Sequence, residues 1–576
     1  MAPFNSGIET QFCNEVNNAL QAQDGAQLLS ILQLEPPFGP IYQQLISSLQ
    51  SKYPKDDQRA EEQLERVVRN AVPETGESED EEGRPVPNWS AMVTFIVSWM
   101  CFIRDVNVEN LLETYERLSD LQQKANSALQ HSTKGILILP TVISYAKVFS
   151  RVAIGLDRQP ELIQHLIAET VTEEGRRESL PEKAANILRH AFITCLNDRN
   201  TAPRGIKDGR PDGKKVGIYR MANICLKILF QCEKLENCQT FFSNIHNSSP
   251  PLAIYPASER VTYLYYLGRF KFATTDFFAA QLCLQKAHDE CPSDPSCLPQ
   301  SRLLLIYLIA SNLLLGRLPH SSLYHRPEAK NLRTHFEPLA RAIRRGDLES
   351  FRRITSLSLS HPSTPFFIRH RIFYQLGNYC EVFVWRSLIR RVFLLTGQQV
   401  GTSSRSAPTI DLSALLAAFL SLERRALTLS ASLSQADSVP GKRHISFALA
   451  DTSTPPASLG YIDPDFDGVD PVEDDTTPLT PYIRTTDYSI MTIESIVSSL
   501  ILQGFLQGFV SQRTRKFAIT GARRGGGPLK AGFPVVWEVV RRREEGREVV
   551  GWRLEGAVEG GGGGVVRLAG ARPAGE

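Results

Sequence analysis

Apolar positions recur at helical spacing along most of this chain. Residues 8–72 show amphipathic helical stretches such as "IYQQLISSLQSKY". From Trp89 to about Leu196 the pattern continues, with Leu111, Leu112, Tyr115, Leu118 and Leu121 falling on one helical stripe. Residues 217–396 read as helix pairs: "YRMANICLKILFQCEKLENCQTFFSNI" is one. "RVTYLYYLGRFKFATTDFFAAQLCLQKAHDEC" is a second, turned at Lys271–Asp276, and "QSRLLLIYLIASNLLLGRLP" a third. Short antiparallel helices each bury a face on the next, so the pattern predicts a mainly α chain, an irregular α-solenoid of TPR-like helix pairs.

Period-2 patterning enters only near the C-terminal end. "MTIESIVSSLILQG" places Ile493, Ile496, Val497, Leu500 and Ile501 on one stripe, a helix of about three turns. Thr492 is placed to cap its start, with Glu494 in the first turn and Ser495 where a capping box would want Glu. Gly504 stands where a left-handed C-cap is wanted. "GFVS" (508–511) and "KFAI" (516–519) then read as short strands joined by "QRTR". Helix followed by hairpin is the second half of a winged helix, with Arg513, Arg515 and Lys516 on the wing.

These patterns divide the chain as follows. Residues 1–72 are an N-terminal helical segment, and 73–88, "PETGESEDEEGRPVPN", an acidic linker in which Ser78 could accept phosphate. Residues 89–216 are helical, with a polar basic loop at 197–215. Residues 217–396 hold the helical repeats. Residues 397–540 form the winged helix, with a helix at about Leu412–Leu429 and a disordered insertion at about 431–480. A Gly-rich disordered tail, with five glycines at 560–564, fills 541–576.

At 576 residues, 42% hydrophobic and 22% charged, the chain has ordinary globular composition. A net charge of +2 imposes no global field, so any basic function is local. The ten cysteines are scattered, with no CxxC pair or Cys/His doublet at zinc spacing, which argues for reduced thiols and no metal site. The longest apolar run, Met92–Ile103, is too short to cross a bilayer, which takes about 20 residues. With no basic–apolar leader at the N-terminus, a soluble intracellular protein is expected. "DPDFDGVDPVED" (463–474) imitates a calcium loop, but Asp474 replaces the long bidentate Glu, and Pro464 and Pro471 oppose the loop geometry. "GARRGGGPLK" lacks the spacing of a phosphate loop, and no HExxH or GxSxG occurs. Nothing in the sequence argues for an enzyme or a cofactor.

Basic residues gather instead in the final third. "WRSLIRRVFLL" sets Arg386 and Arg390 one helical turn apart with Arg391 beside them, and "ARR" (522–524), Lys530 and "RRR" (541–543) follow the hairpin. Arg and Lys on a wing neutralise phosphates without reading bases.

The repeat blocks quoted above, together with "LARAIRRGDLESF", "FFIRHRIFYQLGNYCEVFVWRSLIRRVFLL" and "IESIVSSLILQGFLQGFVSQRTRKFAI", occur in order. Together they resemble the PCI-domain family, in the branch of the mRNA-export subunit of the TREX-2 complex and its signalosome-associated paralogue. The resemblance covers 217–396 and 482–540 strongly and 89–200 loosely; the 431–480 insertion and the Gly-rich tail depart from it. It implies a non-enzymatic scaffold, in the nucleus at the nuclear pore and transcribed genes, with some in the cytoplasm. Its implied partners are a large PCI-containing export scaffold protein, a small acidic disordered subunit, and RNA and possibly DNA, with no membrane. Arg386, Arg390, Arg391, Arg513, Arg515 and Lys516 would then carry the nucleic-acid contact. In the alternative, the paralogue's role, the winged helix serves protein assembly in a signalosome- or splicing-associated complex.

Overall fold

The computed structural model describes residues 7–36, 38–55, 57–72, 78–79, 85–86, 88, 89–107, 109–159, 179–356, 361–398, 406–433 and 488–553. The insertion expected at 431–480, from 434 onward, the calcium-like stretch 463–474 and the glycines at 560–564 lie outside them. The chain divides into two compact units, residues 1–270 with 548–576, and residues 271–547.

The first unit is helical. Its helices are Ile8–Gln21, Gly25–Ile31, Pro40–Lys52, Gln58–Ala71, Ser90–Asp105, Leu111–Leu129, Gly135–Asp157, Leu180–Leu196, Ile218–Gln231 and Leu235–Ser248, followed by Ala257–Ala273. Local chemistry sets several starts. Asp24 accepts from the amides of Ala26 and Gln27 at 2.9 and 3.0 Å, and Asn110 caps through the amide of Glu113. Periodicity sets the buried faces: Ala60, Leu64 and Val68, four apart, are the buried residues of Gln58–Ala71. Trp99 is fully buried and stacks on Phe12 with ring centroids 4.9 Å apart. Tyr145 donates to the Leu32 carbonyl at 2.6 Å. Gly135–Asp157 is long and apolar enough to cross a bilayer, as is Pro295–Leu314 in the second unit; 56% of each such stretch is buried in the structure.

Two parts of this unit differ from the sequence expectation. Residues 197–215, expected as a polar basic loop, are short 3-10 turns around a two-residue hairpin, with Gly205 and Lys214 buried. Lys214 is buried, donates to the His131 carbonyl at 2.8 Å and lies 4.0 Å from Asp198, which also accepts the Lys214 amide. Within this segment Lys214 and Asp198 form a buried ion pair, while Arg204, Lys207 and Arg210 are exposed. The tail boundary at 541 also moves. Residues 541–544 finish the helix Val536–Glu544, and 548–553 form a strap packed in the first unit. In the strap Val549 and Trp552 are buried, Tyr263 donates to the Gly551 carbonyl at 2.7 Å, and the Gly551 amide donates to His246 Nδ1 at 3.3 Å.

The second unit begins with the helices Phe277–Glu290, Leu298–Leu314, Leu332–Arg345, Leu348–Ile354 and Ser363–Arg369, then the 24-residue helix Phe373–Thr396. The segment read as a third helix pair is one helix, Leu298–Leu314, followed by short 3-10 turns. A three-stranded antiparallel sheet and three helices complete the winged helix. Strand Thr409–Asp411 leads directly into helix Leu412–Leu433; helix Ile490–Leu502 precedes the hairpin strands Gly508–Ser511 and Lys516–Ile519. Strand Lys516–Ile519 lies in the middle, with Ile410 opposite Phe517 and Val510 opposite Phe517 on its two sides. Ile410, Phe517 and Ile519 face inward onto Leu412, Leu415, Phe419, Ile493, Val497 and Leu500, all buried. The architecture is mainly α, a succession of packed helices ending in a winged helix.

Candidate nucleic-acid interface

The helix before the hairpin ends as its sequence dictates. Gly504 adopts φ +74°, its amide bonds the Ile501 carbonyl, and the Phe505 amide reaches back to the Leu500 carbonyl at 2.9 Å. This is a Schellman cap, and it turns the chain sharply toward the first hairpin strand. The start differs from expectation. Ser489, rather than Thr492, is the N-cap, and its hydroxyl accepts the Thr492 amide while the Thr492 hydroxyl accepts the Ser489 amide. The capping box lies three residues upstream of the predicted one, because Thr can close it as Glu does.

The hairpin itself spans the predicted residues, 508–511 and 516–519. Gly508 is required there: a Cβ would stand 2.2 Å from the Ala518 carbonyl oxygen. At the tip, Arg513 and Arg515 are exposed, and Arg515 takes a left-handed φ of +51° while its carbonyl accepts the Leu412 amide. Lys516 is half-buried and lies opposite Asp411 in the sheet, its amine 3.4 Å from the Asp411 carboxylate. Part of its charge is thereby neutralised within the fold.

The helix arginines are placed differently. Arg386 is half-buried and donates from Nε to the Phe505 carbonyl at 3.1 Å and from Nη2 to the Phe533 and Pro534 carbonyls at 3.0 and 2.6 Å. Burial pushes its pKa down to about 10, with the Arg390 charge adding to the effect. It still carries its charge at neutral pH, as a strut between Phe373–Thr396 and the winged helix. Three of the five N–H donors of Arg386, one on Nε and two on Nη2, are thus engaged by backbone carbonyls within the fold, unlike those of the exposed wing arginines. Arg390 is exposed, and Arg391, also exposed, donates to the Arg345 carbonyl at 3.4 Å.

The six residues are not one cluster. Arg386 holds Phe505 and Phe533, which border the end of the hairpin remote from its tip, where the Gln507 amide bonds the Gly532 carbonyl. The tip lies one strand length away, four residues at about 3.3 Å each, or roughly 13 Å. Exposed Arg523 and Arg524 in the loop, and Lys530 in the short helix Pro528–Gly532, lie at the remote end. The helix Ile490–Leu502 contributes no cation. Its exposed positions are Met491, Ser495, Ser498, Ser499 and Leu502, and its Glu494 accepts from Gln512 of the wing at 2.8 Å. Sequence reasoning passed over Phe509, which is 54% exposed on the outer edge strand. Its neighbours in "GFVS" look like any strand, and only sheet facing separates it from Val510.

The buried thiols Cys13 and Cys195 are held protonated by their surroundings. All ten cysteines are unpaired thiols, and burial pushes those of Cys13 and Cys195 up to about 12. Thiols so shifted stay protonated and unreactive at neutral pH. Among the described residues no group of three or more His, Cys, Asp and Glu side chains is arranged to hold a metal ion.

A helical stack with a three-stranded winged helix is consistent with the mainly α fold expected from the resemblance to PCI-domain proteins. No protein-family profile matches the chain. Individual proteins do. It is 28% identical to a PCI domain-containing protein of Schizosaccharomyces pombe, over 71% of this chain and 82% of that one. It is 31% identical to PCI domain-containing protein 2 of Danio rerio, over 38% of this chain and 51% of the relative. A protein CSN12 homolog of Mycosarcoma maydis is 30% identical over 34% of this chain and 42% of its own length. The chain thus spans about half or less of the length of the latter two. The chain is thus similar to proteins named for the PCI domain and to a CSN12 homolog.

Proposed function

We propose that this chain is a non-enzymatic PCI scaffold subunit of a nuclear complex that couples transcription to mRNA export. Its winged helix contacts RNA, and DNA where genes are transcribed, through Arg513 and Arg515 of the wing together with exposed Arg390 and Arg391. A large PCI-containing scaffold protein packs beside the winged helix, a small acidic disordered subunit binds the helical part, and the complex works at the nuclear pore. The observation that carries this reading is the wing: a rigidly capped hairpin holding two arginines in solvent at its tip. Backbone neutralisation by such a tip needs no base readout.

The test is affinity purification of the tagged full-length chain, with identification of the co-purifying proteins and of crosslinked RNA. A large PCI scaffold, a small acidic subunit and pore-associated factors support the export reading. The likeness to CSN12 homologs favours a second reading, in which the winged helix serves assembly within a signalosome- or splicing-associated complex. Recovery of those subunits without RNA overturns the first reading in favour of the second.

A further inference from the structure

We propose that the outer face of the wing sheet binds single-stranded nucleic acid, with a base stacked on Phe509. This inference rests on the nucleic-acid reading of the wing and names the form of strand that it takes. Phe509 lies opposite Ala518 in an antiparallel register that also sets Ser511 opposite Lys516. Phe517 and Ile519, on the alternate positions of the middle strand, are buried inward, so Phe509 and Lys516 share the outward face. An aromatic ring 54% exposed on an outer strand leaves about half of its surface in water, where it forgoes hydrophobic stabilisation.

Charge brackets the ring. Arg513 and Arg515 are exposed at the tip; beyond the other end of the middle strand, Arg523 and Arg524 are exposed in a loop and Lys530 in the short helix Pro528–Gly532. The roughly 13 Å between them matches about four nucleotides at the ~3.4 Å rise of a stacked strand. A basic track with an aromatic platform midway is the arrangement that holds single strands, because every base offers a π-face.

Duplex readout by the preceding helix does not fit. A helix entering a groove draws most of its affinity from cations on its exposed side that neutralise phosphates. Ile490–Leu502 shows Met491, Leu502 and three serines there, and its one ionic side chain is Glu494. The sheet face, rather than the helix, carries the exposed aromatic ring, with exposed cations at its two ends.

The test uses the full chain, in its purified complex, and fluorescein-labelled uridine RNA of about 15 nucleotides, long enough to exceed one binding track. A hairpin duplex RNA and an RNA with abasic sites serve as comparison probes. Phe509→Ala should weaken single-strand binding about 5- to 150-fold, the range of one lost base stack, and leave the salt slope unchanged. Phe509→Tyr should retain binding. Arg513→Gln with Arg515→Gln should lower the salt slope by about 1.4, two phosphates at ~0.7 each. Abasic sites should weaken the wild type and leave Phe509→Ala indifferent. The side chain is exposed, so these variants fold. Phe509→Ala binding like the wild type while the arginine variants lose binding overturns the stacking inference and leaves the wing reading standing. Undiminished binding by both sets overturns the wing reading as well. Loss of a co-purifying protein, with RNA binding intact, makes Phe509 a protein contact and overturns the inference.

Discussion

Replacing Arg386 separates a structural strut from a binding residue. In Arg386→Met the stem volume is kept, while the three hydrogen bonds to the carbonyls of Phe505, Phe533 and Pro534 are lost. Hydrogen bonds to charged groups contribute about 1.5–3 kcal/mol each, and an orphaned buried acceptor costs about 1–3 kcal/mol. The site is only half-buried, so water recovers part of the loss, and burial already disfavours the charge that holds the pKa at about 10. Taking the lower end, about 1 kcal/mol for each carbonyl, gives a destabilisation of about 3 kcal/mol. That is a large share of the ~5–15 kcal/mol that holds a typical domain, and it should lower the midpoint of thermal unfolding by about 6–12 °C. Calorimetry and urea titration of the full chain read this directly. Arg386→Lys keeps the charge without the planar fork and should fall between wild type and Met. If Arg386→Met unfolds within about 0.5 kcal/mol of the wild type while nucleic-acid affinity drops, the strut argument is refuted, and Arg386 belongs to the binding surface after all.

Gly551→Ala should destabilise the first unit by about 1–3 kcal/mol, since φ is +106° there and the new Cβ meets Leu267 Cδ1 at 3.1 Å. Hydrogen exchange of residues 548–553 should accelerate before that of the helices, and unchanged protection would contradict the strap. Asp411→Asn releases Lys516 from its 3.4 Å partner, so single-strand affinity at low salt should rise about two- to threefold with stability within ~0.5 kcal/mol; an unchanged affinity would remove Lys516 from the interface. For Lys214, burial lowers the amine pKa below its usual value. Between that lowered value and 10.5 the unfolded chain binds more protons, so this group's contribution makes stability rise with pH across the window. The difference in urea midpoint between wild type and Lys214→Met, followed from pH 8 to 10.5, should therefore grow in favour of the wild type; a flat difference would show that Lys214 is solvated.

Local sequence determined the elements whose signals are local. The apolar stripe of Ile493, Ile496, Val497 and Leu500, followed by Gly504, specifies a helix with a left-handed end wherever it is placed, and the alternation after it specifies a hairpin at 508–519. The wing and its arginines were legible for the same reason. Strand Thr409–Asp411 was not, because three residues carry too little pattern and its partner Lys516–Ile519 comes more than a hundred residues later in the chain. Arg386 looked like a member of a basic cluster, yet its acceptors lie 119, 147 and 148 residues away, and only folding brings them to its guanidinium. Residues 197–215 read as a polar basic loop, with no sign that Lys214 and Asp198 are buried together. Phe509 and Phe517 have equal claims to the core by composition; the register of the sheet sends one inward and leaves the other in water. Helices and turns are encoded by neighbours in sequence, whereas which charges stay free and which ring faces solvent depend on contacts between distant segments, and those exist only in the folded chain.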